Sequence, residues 1–329
     1  MNREEKVVSF IIPVYNTPLK KFQRCIDSIR KIKAIKYEII LIDDGSKQVN
    51  SEKYREYLHE DNELYVFQSN KGVSEARNKG INVSTGKYIF FVDSDDYLIA
   101  KNLNSSVFNK EKDLIIYNVI VNTNQAKKVQ YFDIEKNLPT SKDLLKLALR
   151  DGIMNWSVSK FYLKKYLIKN KLKFDTNISS GEDLKFVTEL LLTSPSILYV
   201  PKNLYYYDLD TNTSINRMLI NPSKSIDDTI KLYFQRLKIL NYLGIEDNLS
   251  LKKEAISSLF AIYANNVFKK GYVKKVYLQK INKFIDELNV EGGLTTNIKI
   301  KCLKDNRKKL GILYVKLKEI YHVLVPYKF

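Results

Sequence analysis

Disulfide frameworks and zinc clusters need cysteine, and this sequence holds only two, Cys25 and Cys302. They stand far apart inside helical patterns, which excludes a disulfide scaffold and zinc spacing and fits a reducing cytosol. Long apolar runs are also missing. Nowhere do about 18 apolar residues follow one another, so no spanning helix is predicted. Residues 1–6 lead directly into Val7-Val8-Ser9-Phe10-Ile11-Ile12 and then Pro13, too short a stretch for a signal-peptide core. Acidic residues are in deficit: 37 Asp and Glu face 55 Lys and Arg, a net charge of +18. That balance favours nucleic acid, anionic lipid or phosphorylated substrates without choosing among them. Core material is plentiful, since 44% of the 329 residues are apolar and 28% charged, which excludes wholesale disorder. The length suggests two domains, or one with a large appendage.

Over the first hundred residues, short apolar runs alternate with helical patterns. Strands are predicted at residues 7–14, 37–43, 64–68 and 88–92, with helices at 19–32, 51–60 and 73–83 between them. Such alternation makes an α/β fold, a mostly parallel sheet flanked by helices, whose ligand crevice opens at the carboxyl ends of the strands. A further strand is expected at 114–121, with helices from Ser141, over 161–169 and from Gly181. Beyond Asn221 the periodicity is wholly helical. Ile226, Ile230, Tyr233, Leu237 and Leu240 share one stripe closed by Gly244, and similar stripes cover 251–267, 273–288 and 310–324. Residues 221–329 carry net +11 and residues 1–220 net +7. The expected division is therefore a domain over 1–220 and a basic helical domain over 221–329.

Unusual residues collect at the predicted strand ends. Asp93-Ser94-Asp95, with Asp96 adjacent, follows the run Tyr88–Val92. Two or three neighbouring carboxylates repel unless a cation or hydrogen-bond donors neutralise them, and hard oxygens suit Mg²⁺ or Mn²⁺. The plainer reading is an acidic turn with helix-capping aspartates. Asp43-Asp44-Gly45-Ser46 follows the second strand; it is an ordinary turn sequence, or a carboxylate accepting from a base N–H or a ribose hydroxyl. Asn70–Gly80 would open a helix whose start, with Arg77, could meet phosphate or nucleoside groups. Gly181-Glu182-Asp183 begins a helix, where acids are favourable in any case.

Val8–Asn16, Ile42–Ser46, Asn70–Gly80 and Gly86–Asp96 occur in the order and spacing of family two glycosyltransferases, and the resemblance covers residues 7–100. It implies a GT-A fold, a UDP-sugar donor, a divalent cation (Mn²⁺ or Mg²⁺) and inversion at the anomeric carbon. It also implies nucleotide contacts from the segments holding Pro13, Tyr15, Asn16, Asp43, Asp44, Arg77, Asp93, Ser94 and Asp95. Pro13, Tyr15 and Asp44 would meet uracil and ribose, Arg77 would support the nucleotide, and Asp93 and Asp95 would form the D-x-D, with Asp95 the direct metal ligand. Residues 174–207 resemble the family's G-E-D segment, which makes Asp183 the base and Glu182 its neighbour or an acceptor contact. A carboxylate of ordinary pKa, near ~4, is ionised at neutral pH and can take the acceptor's proton. The implied product is a bacterial cell-surface polysaccharide, built on a glycan or lipid-linked saccharide acceptor.

Two stretches depart from the family pattern. Tyr207 is followed by Asp208-Leu209-Asp210 where many relatives carry arginines, and the next arginine is Arg217; Thr213 or Ser214 would keep the hydroxyl role there. Trp156 lies four positions before Lys160, whereas many relatives place Trp two before, where this chain has Val158. In the tail, Leu310, Leu313, Leu317, Ile320 and Leu324 recur beside Lys304, Arg307, Lys308, Lys309, Lys316 and Lys318, with Tyr314, Tyr321 and Tyr327 nearby. That pattern reads as a basic amphipathic helix on anionic lipid at the inner membrane face, or as ordinary helix packing, in one chain or between copies. Two other classes compete with the enzyme. A catalytically silent binding protein should have lost the D-x-D or the base, and both are present. A nucleic-acid-binding protein should show a recognised motif, and none occurs, so no nucleic-acid partner is expected.

Overall fold

The four apolar runs at the start of the chain become parallel strands: β1 (Val8–Val14), β2 (Tyr37–Asp44), β3 (Glu63–Gln68) and β4 (Tyr88–Phe91). Helices α1 (Leu19–Arg30), α2 (Gln48–Tyr57) and α3 (Val73–Val83) connect them. The computed structural model describes residues 6–122, 128–131, 138–150, 152–208, 221–270, 273–290 and 292–307. The chain divides into two units, residues 1–211 and 212–329.

The first unit continues with β5 (Tyr97–Leu98), β6 (Leu114–Asn122), β7 (Lys128–Tyr131), α4 (Ser141–Arg150), β8 (Lys160–Leu163), α5 (Lys164–Lys169), α6 (Glu182–Leu192) and β9 (Ile197–Asp208). Among the described residues the sheet runs β3-β2-β1-β4-β8-β6-β9-β5, with β7 paired to β6. The pairing is parallel through β4, as expected. It then turns mixed, because β8 runs antiparallel to both β4 and β6, while β6 and β9 are parallel. The helix expected over 161–169 is corrected accordingly: Lys160–Leu163 is a buried strand and only Lys164–Lys169 is helical. A four-residue apolar run carries no periodicity that separates strand from helix.

Every residue of β1 is buried, and Phe10 meets Phe90 edge to face at 5.5 Å. On the other side of the β4 backbone, Phe91 packs edge-on against Phe174 (5.2 Å) and Phe186 (5.9 Å), and these two rings stack at 4.1 Å. Burying a side chain of this size contributes about 1.5–3 kcal/mol, so this cluster anchors α6 to the strand that ends in the acidic turn. Gly80 lets α3 approach β1, since any Cβ there would collide with the Ile11 side chain. A buried carboxylate, Glu38, accepts from Ser9 Oγ (2.6 Å), Lys6 Nζ (2.9 Å) and the Thr85 N–H (2.5 Å). Burial pushes its pKa up, but those donors prevail and hold it at about 2.

The second unit is helical in its described parts: Pro222–Leu243, Leu249–Lys270, Lys275–Leu288 and Leu294–Lys304. Asn221 caps the first helix by accepting from the Lys224 N–H, and Gly244 ends it at φ 71°. Of the predicted stripe, Ile226, Tyr233 and Leu240 are buried, and Tyr233 packs edge-on to Phe284 at 5.3 Å. Leu294–Lys304 is a helix the periodicity did not single out. Residues 310–324, and with them the expected basic amphipathic helix, lie outside the described residues, as do Asp210, Thr213, Ser214 and Arg217. No helix among the described residues is long and apolar enough to cross a membrane.

Candidate active site

At the carboxyl end of β4 the chain turns through Asp93-Ser94-Asp95-Asp96, closed by the Asp96 N–H donating to the Asp93 carbonyl at 3.0 Å. The carboxylates then separate by environment. Asp96 is 1% exposed, with its Oδ2 accepting from the Tyr205 hydroxyl (2.6 Å) and its Oδ1 from the Asp208 N–H (2.9 Å). Burial and the neighbouring charges of Asp93 and Asp95 push its pKa well up, and the two donors oppose this. Asp96 therefore ties the turn to β9. Asp93 and Asp95 remain half-buried at the edge of the sheet. Ser94 Oγ and Thr17 Oγ1 share a hydrogen bond of 2.6 Å, which fastens the acidic turn to the segment after β1.

Arg77, from α3, is the centre of the site. It is 3% exposed. One terminal nitrogen donates to Asp183 Oδ1 at 2.7 Å and lies 3.5 Å from Glu182 Oε1; the other donates to Asp93 Oδ1 at 2.9 Å. Its guanidinium also lies 5.1 Å over the Phe174 ring. Burial works to lower its pKa, but the three carboxylates prevail and raise it, so it stays a cation. The guanidinium of Arg77, the residue expected to support the nucleotide, contacts the D-x-D and the G-E-D segment.

Gly181 takes the left-handed conformation, φ 88°, that turns the chain into α6, and Glu182 and Asp183 form its first turn. The second oxygen of Asp183 accepts from the Ser157 N–H at 3.2 Å. Glu182 is raised to about 7, by burial first and by Asp183 second, with Arg77 pulling the other way. Lys160 is fully buried and lowered to about 7 by desolvation, which the charge of Asp183 opposes. Its ammonium donates to the Trp156 carbonyl at 2.6 Å.

The remaining predicted residues lie at or just beyond the carboxyl ends of β1 and β2. Pro13 is buried in β1 and Tyr15, just beyond that strand, is 55% exposed. Asn16, at φ 51°, accepts from the Lys47 N–H (2.9 Å) and Asn50 Nδ2 (3.0 Å), and its own N–H donates to Ser46 Oγ (2.9 Å). Asp43 is fully buried, accepting from the Ser46 N–H, Ser51 Oγ and Tyr65 hydroxyl, so the structure spends it on its own turn. Asp44, 5% exposed, accepts from Gln68 Nε2 and the N–H groups of Lys71 and Gly72, all at 2.8 Å. It fixes the loop leading into α3.

Three participants carry no motif that sequence reasoning could find. Arg24 of α1 donates to the Asp95 carbonyl (2.6 Å) and to Asp208 Oδ2 (2.8 Å). Tyr205 accepts from the Asp93 N–H (3.0 Å) while donating to Asp96. Ser157 supplies the N–H on Asp183. Tyr205 lies within residues 174–207, and Ser157 between Trp156 and Lys160, stretches discussed above for other residues.

A divalent cation fits this donor set. Among the described residues no group of three or more His, Cys, Asp or Glu is arranged to enclose one. Mg²⁺-type sites on phosphate substrates use one or two carboxylates and take the remaining oxygens from phosphate and water. Asp93, which pairs with Arg77, and Asp95 are the half-buried carboxylates of this turn that could supply them.

Residues 9–170 match the family described as Glycosyl transferase family 2. Glycosyltransferase GlyG of Streptococcus pneumoniae is 32% identical over 61% of this chain and 70% of its own length. The poly(ribitol-phosphate) beta-N-acetylglucosaminyltransferase TarP of Staphylococcus aureus is 28% identical over 86% of this chain and 85% of its own. Against glycosyltransferase GlyA of S. pneumoniae, 29% identical over 61% of this chain, the match spans only 30% of the relative's length. Among solved structures, residues 1–349 of S. aureus TarS in complex with UDP-GlcNAc superpose with a TM-score of 0.58 at 18% identity, covering 94% of this chain and 92% of that one. That likeness shows the fold, the GT-A arrangement followed by helices.

Proposed function

The chain belongs to glycosyl transferase family 2, and we propose that it moves a sugar from a UDP-sugar, with inversion, to a hydroxyl of a glycan or lipid-linked acceptor in bacterial cell-surface polysaccharide synthesis. The observation that carries this reading is the reach of one guanidinium: Arg77 touches both Asp93 and Asp183. Displacement at the anomeric carbon needs a base on the acceptor side and charge stabilisation on the leaving side, held in fixed relation. Asp183 serves as the base. Its Oδ1 is oriented by Arg77 and its Oδ2 by the Ser157 N–H, so proton transfer from the acceptor starts from a defined position. Glu182 lies beside it as an acceptor contact.

Asp95, with Asp93, would hold the cation, Mn²⁺ or Mg²⁺, which neutralises charge on the departing diphosphate when bound. Pro13, Tyr15 and the loops fixed by Asn16, Asp43 and Asp44 form the nucleoside wall, with Tyr15 the exposed surface for uracil. Relatives support the chemistry: TarS is known in complex with UDP-GlcNAc, and TarP is named for transfer to poly(ribitol-phosphate). The net +11 of residues 221–329 suits an acceptor on an anionic carrier or membrane.

The test is UDP release from a panel of UDP-sugars with Mn²⁺, Mg²⁺ or chelator, in wild type and Asp183→Asn, beside direct UDP binding. Metal-dependent turnover of one sugar, with Asp183→Asn slower by about 10²–10⁴-fold yet still binding UDP, is the expected result. Failure of the wild type to bind UDP in the presence of metal overturns it.

A further inference from the structure

The segment that departs from the family pattern contains a feature that neither the base nor the D-x-D explains. Trp156 and Tyr207 stack face to face, with centroids 4.5 Å apart and planes at 28°, and both rings are half-buried. Each belongs to a backbone segment that positions a carboxylate. Trp156 is one residue from the Ser157 N–H on Asp183, and Tyr207 is one residue from the Asp208 N–H on Asp96. The Trp156 side is held rigidly. Lys160 Nζ donates to the Trp156 carbonyl, the Tyr162 hydroxyl to the Ser157 carbonyl (2.8 Å), and Ser159, at φ 60°, donates through its Oγ to the Tyr117 carbonyl (3.0 Å). A buried lysine whose ammonium donates to the Trp156 and Val158 carbonyls of the same loop is an expensive fixture for a loop that only connects elements.

Resting on the assignment of Asp183 as base, we propose that the Trp156–Tyr207 pair is an acceptor subsite that seats a pyranose ring. A pyranose presents a face of C–H groups, and an aromatic face carries the negative quadrupole that attracts them. A rigid pair also offers that face at little conformational cost. The subsite would hold the ring whose hydroxyl meets Asp183. It thus favours a cyclic sugar as acceptor over an acyclic polyol phosphate, although a polymer of ribitol phosphate is the acceptor in TarP's name.

Trp156 is the chain's only tryptophan, so its emission reports on this one place. In the full chain with UDP and Mn²⁺, methyl β-D-glucopyranoside, methyl N-acetyl-β-D-glucosaminide and cellobiose are titrated against ribitol 5-phosphate and against phosphatidylglycerol vesicles. UDP itself is added first, as a separate step. The expected result is a saturable change in emission with at least one pyranoside and none with UDP, ribitol 5-phosphate or vesicles. For that pyranoside, Trp156→Ala raises the acceptor KM in UDP release about tenfold while the KM for donor holds, and Trp156→Phe recovers most of the loss. Silence from every pyranoside while UDP binds overturns the proposal. So does a response to UDP, to ribitol 5-phosphate or to vesicles in place of pyranosides. Loss of UDP binding in the wild type strikes the donor reading instead, and the subsite falls with it.

Discussion

Replacing Arg77 with Met keeps most of its length and removes the charge that three carboxylates share. In the native site the Arg77 side chain is 4% exposed, those of Glu182 and Asp183 are 14% and 22% exposed, and that of Asp93 is 31% exposed. Two charge-assisted bonds, at 2.7 and 2.9 Å, are lost. At about 1.5–3 kcal/mol for each such bond the loss is roughly 3–6 kcal/mol. Breaking a buried pair by deleting one partner costs about 3–5 kcal/mol, which agrees. Urea unfolding followed by Trp156 emission reads this directly, because the tryptophan lies in the unit of residues 1–211 and ignores the helical unit. The deficit depends on pH with a defined sign. Arg77 lowers the pKa of Glu182, so its removal raises that folded-state value further above about 7. A carboxyl raised on folding contributes stability below its unfolded pKa that is lost as pH rises through the folded one. Arg77→Met should therefore lag the wild type more at about pH 8 than at about pH 6. Arg77→Lys should rescue little, since one ammonium does not span both carboxylates as a planar fork does. A deficit under about 1 kcal/mol, or one equal at both pH values, would refute the claim that Arg77 is the shared counter-charge.

The two carboxylates of the D-x-D should respond differently. Asp95→Asn is expected to weaken metal-dependent UDP binding at least tenfold, and Asp93→Asn, which removes a partner of Arg77, should lower stability by about 1–3 kcal/mol; calorimetric titration and urea melts on both variants check this. Glu182→Gln removes a carboxyl raised to about 7, so the variant should gain on the order of 1–3 kcal/mol over wild type above that pH. The gain shrinks as pH falls toward the unfolded value, and a variant less stable at every pH would show that the Glu182 charge is needed where it lies.

The strand and helix signals of residues 7–92 were legible because each apolar run ends in a turn residue or an acid. Pro13, Asp43-Asp44-Gly45 and Asp93 mark the strand ends that the structure shows. Beyond residue 114 the signal weakens for a physical reason. Strand β8 is four residues long and buried, so neither alternation nor a helical stripe can develop, and its first residue is a lysine. The roles within the motifs were less legible than the motifs themselves. Asp43 and Asp96 are written in the same characters as Asp44 and Asp95. Their partners separate them: Asp43 is held by Tyr65 and Ser51, Asp44 by Gln68 and the Lys71 and Gly72 N–H groups, and Asp96 is buried against Tyr205, 109 residues away. Likewise nothing in the local sequence of Arg77 shows that its guanidinium meets Asp183, 106 residues further on.

Charge reversal after Tyr207 completes the picture and can be tested. Where the family resemblance leads one to expect arginine, Asp208 pairs with Arg24 of α1, 184 residues earlier. Burial acts to raise Asp208, yet Arg24 and Asn122 together hold its carboxyl below the usual range. The same Arg24 terminal nitrogen donates to the Asp95 carbonyl. A cation is thus delivered beside the acidic turn from the first helix. The Arg24–Asp208 pair is partly open, with Arg24 39% and Asp208 20% exposed, so its direct worth to folding is about 1 kcal/mol or less. The effect of Arg24 on the site should be larger than that, because its second contact holds the backbone of the residue that would face the metal. Arg24→Gln is expected to lower Tm by only a few degrees while weakening metal-dependent UDP binding about tenfold. Asp208→Asn, which keeps Arg24 and the Asp95 contact, should leave UDP binding within about threefold. If Arg24→Gln unfolds the protein, or if Asp208→Asn costs as much UDP affinity as Arg24→Gln, the ion pair rather than the carbonyl contact is what the turn depends on.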